Sequence, residues 1–305
     1  MRSRWTWRVL ALPGVAWLSV FFLAAFYAVI AVAFGNQDTL SQPVPFWKPW
    51  EWNVGYVLDT LKNFAHAGPF LTVSLRTLEF VAIAIALSML IGYPVAYFTA
   101  RHAGRWKAVV LVMLIVPLWI NYLMRMLAWI NLLSPGGLGS KFLHDIGIEK
   151  LFISLGLLAE KGGWLNGQPS TVILALVYGY IPFLILPLFV ALDRIDQRQI
   201  EAARDLGASP LGAFMRVTLP LSVPGMLAGL VLITLPMFGD YYTADLVSAS
   251  TQTNMIGNQI DEFMRQGSEK VTGAALTLLL SLFLLGLMFY YLRTTRRAGV
   301  EASTA

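Results

Sequence analysis

The chain has 305 residues, of which 57% are hydrophobic and only 13% charged, and its mean hydropathy is +0.65. A water-soluble domain carries about a quarter charged residues, so the ordinary soluble enzymes and binding modules are excluded. Cysteine is absent, which removes disulfide frameworks, thiolate metal sites and thiol nucleophiles.

The apolar residues fall in long blocks, not in the stripes of amphipathic helices or strands. A helix needs about 20 residues to cross the hydrocarbon core. Six blocks meet or approach that length: residues 9–34, 71–98, 106–133, 171–192, 223–238 with its continuation, and 273–292. The short alternating segments of a membrane barrel are missing. The expected fold is therefore an all-α integral membrane protein with six transmembrane helices.

The first block follows Arg2, Arg4 and Arg8 and contains Ala31-Val32-Ala33, a pattern shared with cleaved signal peptides. It far exceeds the about 7–15 apolar residues of a secretory signal, which favours a retained first span. The segment 35–70 follows, with Pro43, Pro45 and Pro49 among Trp47, Trp50 and Trp52. This reads as a stiff element at the membrane interface, where tryptophan is favoured, either an aromatic belt or a docking surface for an external partner. In the second block Arg76 and Glu79 stand three apart and are expected to neutralise each other. The turn 99–105 is short and basic.

In the third block, Trp119, Asn121 and Tyr122 follow Pro117 toward the outer end of the span, polar or amphipathic residues in an apolar run. Arg125, one helical turn before Trp129, reads as a snorkelling or cation–π residue. The segment 134–170 carries Gly136, Gly137, Gly162 and Gly163, and a single short helix is predicted around 141–158.

The fourth and fifth blocks are joined by residues 193–221, which read as two short helices. Asp196 is placed to cap the first, with Gln199 three residues on as its capping-box partner. Gly207 stands where a left-handed C-terminal cap is wanted. Ser209 can cap the second helix, with Pro210 at its first position. Leu211, Phe214, Met215 and Thr218 give that helix an apolar face, and Pro220 and Pro224 are expected to end it before the fifth span. Gly225 and Gly229 form a G-x-x-x-G pair suited to close helix packing.

Beyond a kink expected at Pro236 lie Asp240, Tyr241, Tyr242 and Asp245. Ionisable residues in spans are costly and default to functional roles, and carboxylates beside aromatic rings suit an ammonium-bearing solute. The competing reading is that they cap a helix end in water. On a continuous helix Asp240 and Asp245 would point about 140° apart, so both line one path only if the helix breaks. His66, His102 and His144 lie far apart, and no metal site is expected.

The net charge of +5 is explained by topology. With a cytoplasmic N-terminus and six alternating spans, Arg2, Arg4, Arg8, Arg101, Arg105, Lys107, Arg194, Arg198, Arg204, Arg216, Arg293, Arg296 and Arg297 all fall inside. Lys48, Lys62, Lys141, Lys150, Lys161, Arg265 and Lys270 are spread through longer outer segments. This is the positive-inside pattern, so the basic excess marks orientation and does not point to nucleic acid. Both termini are then cytoplasmic.

Glu201-Ala202-Ala203, three residues, Gly207, nine residues, Val217, one residue, Leu219-Pro220 resembles the EAA motif of ABC-importer permeases. Every spacing is kept, and only the family's isoleucine is replaced, by Val217. The resemblance covers roughly residues 71–292, the five-helix core of the type-1 importer permease fold. The first span (1–34), the segment 35–70 and the tail 293–305 are additions to that core. Asn121-Tyr122-Leu123-Met124-Arg125 after Pro117-Leu118-Trp119, and Tyr180-Ile181-Pro182-Phe183 before Leu186-Pro187-Leu188, look most like the permeases of spermidine/putrescine importers.

The resemblance implies a bacterial inner-membrane transport subunit that is not itself an enzyme. Glu201, Ala202, Ala203, Gly207, Leu219 and Pro220 would couple it to a dimer of ATP-binding subunits. ATP and Mg would be held there, since this sequence has no G-x-x-x-x-G-K-[ST] phosphate loop. A second permease subunit and a periplasmic substrate-binding protein complete the expected assembly, and Asp240, Asp245, Tyr241, Tyr242, Trp119, Asn121 and Tyr122 are the expected solute-path residues. A polyamine is the expected cargo, with thiamine, an opine or another small solute as alternatives. A secondary transporter driven by an ion gradient is the rival from another class.

Overall fold

A computed structural model of the chain describes residues 4–37, 43–44, 48–65, 69–158, 163–165, 167–248, 250–266 and 269–304. In chain order the helices are α1 (Arg4–Phe34), α2 (Gly55–Ala65), α3 (Pro69–Arg101), α4 (Lys107–Ile115), α5 (Tyr122–Leu133), α6 (Leu138–Asp145) and α7 (Ile148–Ser154). They continue with α8 (Pro169–Arg194), α9 (Gln197–Asp205), α10 (Pro210–Ala213), α11 (Leu219–Phe238), α12 (Tyr242–Val247), α13 (Ile256–Arg265) and α14 (Lys270–Thr304). The one strand pairing among the described residues is a two-residue ladder of Asn36–Gln37 with Pro43–Val44.

Among the described residues, five helical stretches are long and apolar enough to cross a membrane: Val9–Phe34, Phe70–Arg101, Pro169–Arg194, Pro210–Phe238 and Lys270–Arg293. A bent pair, Gly104–Trp119 and Tyr122–Leu133, which meet at 93°, makes a sixth candidate when the two are taken as one broken span. The third block therefore departs from the single helix expected of it. Pro117 has no N–H to continue an α-ladder, and residues 116–119 tighten into a 3₁₀ turn. Ile120 is extended, and Asn121 starts a new helix by accepting from the Leu123 N–H at 2.9 Å.

Two further expectations fail for local reasons. The helix expected within 141–158 is split into α6 and α7 at Gly147, whose φ of +79° no helix interior accommodates. The second hairpin helix does not stop at Pro220. It passes from α10 through a π turn at Phe214–Thr218 and continues as α11. The π turn shifts the hydrogen-bond register where Pro220 would otherwise leave a carbonyl unpaired, so the helix survives the proline.

The chain divides into two compact units. In the first, Met1–Leu71 with Gln259–Leu284, Ala33 of α1 packs with Val57 of α2 and with Ala274, Ala275 and Leu278 of α14. Trp52 stacks on Phe34 with ring centroids 6.2 Å apart, while Trp50 is exposed. Pro45 and Trp47 of the expected stiff element lie outside the described residues.

In the second unit, Thr72–Asn258 with Leu285–Ala305, the spine is the pairing of α8 with α11. A Cβ built on Gly225 would lie 2.2 Å from the Ala191 Cβ and 3.0 Å from the Pro187 carbonyl. One on Gly229 would lie 2.8 Å from Leu184 Cδ1 and 2.9 Å from its carbonyl. The two glycines thus let the backbones approach as the G-x-x-x-G pattern predicts. Around them Leu184, Ile185, Leu188 and Leu192 of α8 and Ile233 and Met237 of α11 are almost wholly buried.

Gly225→Val and Gly229→Val should each lower stability by about 1–3 kcal/mol through overpacking. Gly286→Val is the control, since nothing lies within 4 Å of its built Cβ. Thermal unfolding midpoints of the purified protein in detergent check this; equal effects at all three positions would contradict it.

Candidate functional site

Each end of the spine carries a polar construction. At one end α8 stops at Arg194 and turns into the hairpin. Asp196 Oδ1 accepts from the Arg198 N–H at 3.0 Å and starts α9. Gln199 contributes only its backbone N–H, to the Asp196 carbonyl, so the reciprocal half of the capping box is not formed. α9 ends in a full Schellman arrangement: the Gly207 N–H bonds the Arg204 carbonyl at 2.9 Å and the Ala208 N–H bonds the Ala203 carbonyl at 3.0 Å. Gly207 has φ +89°, the left-handed conformation this motif requires. Ser209 Oγ then accepts from the Gly212 N–H at 3.1 Å, with Pro210 at the first helical position.

The hairpin is bound firmly to the spans. Ile200 packs against a core of Ala96, Ile185, Leu188, Phe189, Leu192 and Ile195. Arg101, at the end of α3, donates to the Ile195 carbonyl at 2.8 Å, and Lys107 pairs with Asp193. These contacts put the basic turn 99–105 and the hairpin at the same end of the unit. Phe214 meets Tyr93 and Tyr97 edge-on at 5.8 and 5.5 Å, and the Tyr93 hydroxyl is 3.0 Å from buried Ser222.

The apolar face expected from Leu211, Phe214, Met215 and Thr218 is divided, because the π turn breaks the 3.6-residue period. Phe214 and Thr218 turn inward, whereas Leu211 and Met215 face out beside Leu206, which is 90% exposed. Glu201, Ala202 and Pro220 are exposed; Ala203 and Leu219 are half-buried.

At the other end, α11 unwinds after Phe238 and the chain turns through Gly239, Asp240 and Tyr241 into α12. Asp240 is buried at 6% exposure, and three hydroxyls converge on its Oδ2: Tyr122 at 2.9 Å, Tyr180 at 3.0 Å and Thr243 at 2.6 Å. Its Oδ1 accepts from the Thr243 N–H at 3.0 Å. The carboxylate therefore joins α5, α8 and the start of α12. Gly179 makes this possible, since a Cβ there would sit 2.8 Å from the Tyr122 ring. Gly257 does the same on the opposite side, where a Cβ would lie 2.9 Å from the carbonyls of Gly239 and Asp240.

Arg125 is also buried, with its guanidinium 5.1 Å from the centre of the Tyr122 ring and Nη1 3.5 Å from the Gly179 carbonyl. Its aromatic partner is Tyr122, one turn back, and not Trp129, which packs edge-on against Tyr178.

Asn258 extends the construction: its Nδ2 donates to the Tyr241 carbonyl and to Asp245 Oδ1, both at 2.7 Å, while its Oδ1 accepts from the Met255 N–H. Thr77 of α3 accepts from the Ile256 N–H at 2.8 Å. Arg76 donates to the Thr251 carbonyl at 2.9 Å and approaches that of Asn254 at 3.4 Å. Arg76 thus serves the loop 251–254 and does not pair with Glu79 as expected.

The seven expected path residues are therefore sorted by the fold. Asp240 and Tyr122 are drawn into the hub, and Asn121 is a helix cap with an exposed side chain. Trp119, 79% exposed, Tyr242, 40% exposed, and Asp245 present themselves at the surface of this chain. Tyr241 is half-buried, its ring 4.0 Å from that of Tyr242. The helix does break, at residues 239–241 with Asp240 in the break itself, yet the two aspartates do not share a face: one is buried and the other exposed. Tyr180, Thr243, Asn258 and Gly179 were not singled out from the sequence as site residues. Among the described residues, no three His, Asp or Glu side chains gather as a metal site would require.

Residues 88–298, which hold both the hairpin and the hub, match the family described as "Binding-protein-dependent transport system inner membrane component". The chain belongs to this family. It is a multi-pass inner-membrane transport component and not an enzyme. Over 291 residues it is 31% identical to the spermidine/putrescine transport system permease protein PotB of Salmonella typhimurium strain LT2, covering 95% of this chain and 93% of the relative. It is 32% identical over 228 residues to the inner membrane ABC transporter permease protein YdcU of Escherichia coli K12, covering 74% and 71%. A crystal structure of a bacterial ABC transporter that imports the acidic polysaccharide alginate shares the fold, with a TM-score of 0.68 at 18% identity over 96% of both chains.

For this family member the Schellman turn gives a direct prediction. Nothing crowds a Cβ at Gly207, so the cost of substitution comes from φ alone. Gly207→Ala should cost about 1 kcal/mol and Gly207→Asn less, because Asn tolerates the left-handed region. Faster proteolysis at the hairpin in Gly207→Ala than in Gly207→Asn would bear this out, and the reverse order would refute it.

Proposed function

We propose that this chain is the permease subunit of an ATP-driven importer for polyamines, with its N- and C-termini in the cytoplasm. The observation that carries the coupling is the continuity of the hairpin with the fifth span. From Pro210 to Phe238 the chain is one helical rod of 29 residues, roughly 43 Å long at 1.5 Å per residue. A push on the hairpin reaches the hub without crossing a flexible joint. The partner is a dimer of ATP-binding subunits that holds ATP and Mg. Exposed Glu201 meets a basic group in its cleft, Ala202 permits close approach, and Leu206, Leu211 and Met215 supply apolar contact. Gly207, Leu219 and Pro220 set the angle at which this handle joins the rod.

The cargo reading is supported by the relatives named for spermidine/putrescine transport and by the chemistry of the far end. Asp245 and the Tyr242 ring offer an anion and a π face, both favourable to alkylammonium groups, with Trp119 and Asn121 as further surface groups along the route. A periplasmic binding protein delivers the solute to that end, and a second permease subunit, a different chain or another copy, closes the other wall of the path.

The test is uptake of labelled putrescine and spermidine into cells whose own importers are deleted. Uptake should stop when ATP is exhausted and survive collapse of the ion gradients. The opposite dependence would favour a gradient-driven transporter. Gly207→Asp should abolish uptake while the assembled complex still hydrolyses ATP: Asp tolerates the left-handed turn as Asn does, but it adds a negative charge at the exposed tip of the handle, where it disturbs the seating that transmits the stroke. Full transport by that variant would overturn the lever.

A further inference from the structure

The hub contains two opposite charges removed from water, and one tyrosine lies between them. Arg125 has 7% exposure and Asp240 has 6%. The guanidinium lies over the Tyr122 ring, the Tyr122 hydroxyl donates to Asp240, and Arg125 Nε has no hydrogen-bond partner. A buried guanidinium with so few acceptors depends on a nearby anion for its stability, and removing one member of such a pair leaves the other uncompensated. Asp240, for its part, has three hydroxyls and one backbone N–H already on its two oxygens. Little of its acceptor capacity remains for a passing ammonium group.

We infer that Arg125, Tyr122 and Asp240 form a charge-balanced latch that fixes the turn into α12, so that Asp240 is a positioning residue for Tyr242 and Asp245 and not a solute ligand. The geometry fits this role. Asp240 holds the first turn of α12 through the Thr243 N–H and hydroxyl. The α12 turn then projects Tyr242 and Asp245 outward, and Asn258 fixes Asp245 from the far side. Tyr122 and Tyr180 tie the same turn to α5 and α8. Loosening the latch moves the solute-facing groups without removing any of them. This inference rests on the reading of Tyr242 and Asp245 as path residues.

The experiment compares Asp245→Asn, Asp240→Asn, Arg125→Met and the double variant Asp240→Asn with Arg125→Met, in the full chain assembled with its partners. In spermidine uptake, Asp245→Asn should raise KM by about tenfold, the loss of one charge-assisted contact, and leave the thermal midpoint near that of the parent. Asp240→Asn should lower the thermal midpoint and the maximal rate together and raise KM by less than Asp245→Asn does, since the solute-facing groups are displaced but none is removed. Adding Arg125→Met should restore part of the lost stability, since the uncompensated cation is then gone.

Three results would overturn the latch: a raised KM with a normal midpoint in Asp240→Asn, strictly additive losses in the double variant, or no loss at all. If Asp240→Asn fails to accumulate, Tyr180→Phe removes one of the three hydroxyls and should give the same pattern in weaker form. The native chain has no cysteine, so Tyr242→Cys supplies a single thiol whose maleimide labelling reports positioning without any solute. Its labelling rate should change severalfold in the Asp240→Asn and Tyr180→Phe backgrounds and stay constant in Asp245→Asn. If the parent carries neither polyamine, the cargo reading fails, while the stability cycle and the labelling rates still decide on the latch.

Discussion

The close seating of α11 against α8 is the contact on which both functional ends depend. Two glycines remove the side chains that would hold the helices apart, and the backbones come close enough for Leu184, Ala191 and the Pro187 carbonyl to lie against α11. In lipid no hydrophobic effect drives such contact, so packing and the small residues that permit it supply the stability. The consequence is mechanical. The hairpin leaves α8 at one end and returns as the beginning of α11, while Tyr180 of α8 and Asp240 after α11 meet at the other.

The two ends treat charge in opposite ways. Around the hairpin, ionic groups are exposed or half-exposed and worth little individually; Lys107 and Asp193 are of this kind. Their task is location, and the buried work there is done by Ile200, Phe214 and the leucines of α8. In the hub the charges are removed from water, and each donor–acceptor contact to an ionised group is worth about 1.5–3 kcal/mol. The proposed docking of a partner calls for open surface, whereas the proposed holding of a turn beside a solute route calls for a fixed one.

Much of this was legible in the sequence wherever the cause is local. Hydropathy blocks gave the spans, because a spanning helix must be apolar along its length. Asp196, Gly207, Ser209 and Pro210 gave the hairpin's starts and stops, since a cap is decided by residues within four positions. The bend at Ile120 is also local, but its sign is ambiguous, because a polar side chain such as Asn121 in an apolar block fits a solute path as well as a cap. The π turn had no legible sign: Phe214 to Thr218 look like ordinary helix, and Pro220 looks like a stop. The hub partners were hidden for another reason. Tyr122 and Tyr180 stand 118 and 60 positions from Asp240, and no spacing rule joins residues so far apart.

That contrast bears on how intramembrane charge is interpreted. A carboxylate in a span is costly and so demands a purpose, but a purpose is not the same as a solute. Asp240 and Asp245 carry the same side chain, five positions apart in one segment, and the cost argument alone treats them alike. Their neighbours separate them. Asp240 faces two tyrosines and, across one ring, an arginine, delivered by α5 and α8, together with the threonine three positions on. Asp245 faces one asparagine and open surface. The expense of the first is met by the protein itself, so its charge organises the fold. That of the second is met in part by water, which leaves Asp245 open to the solute-path role proposed for it.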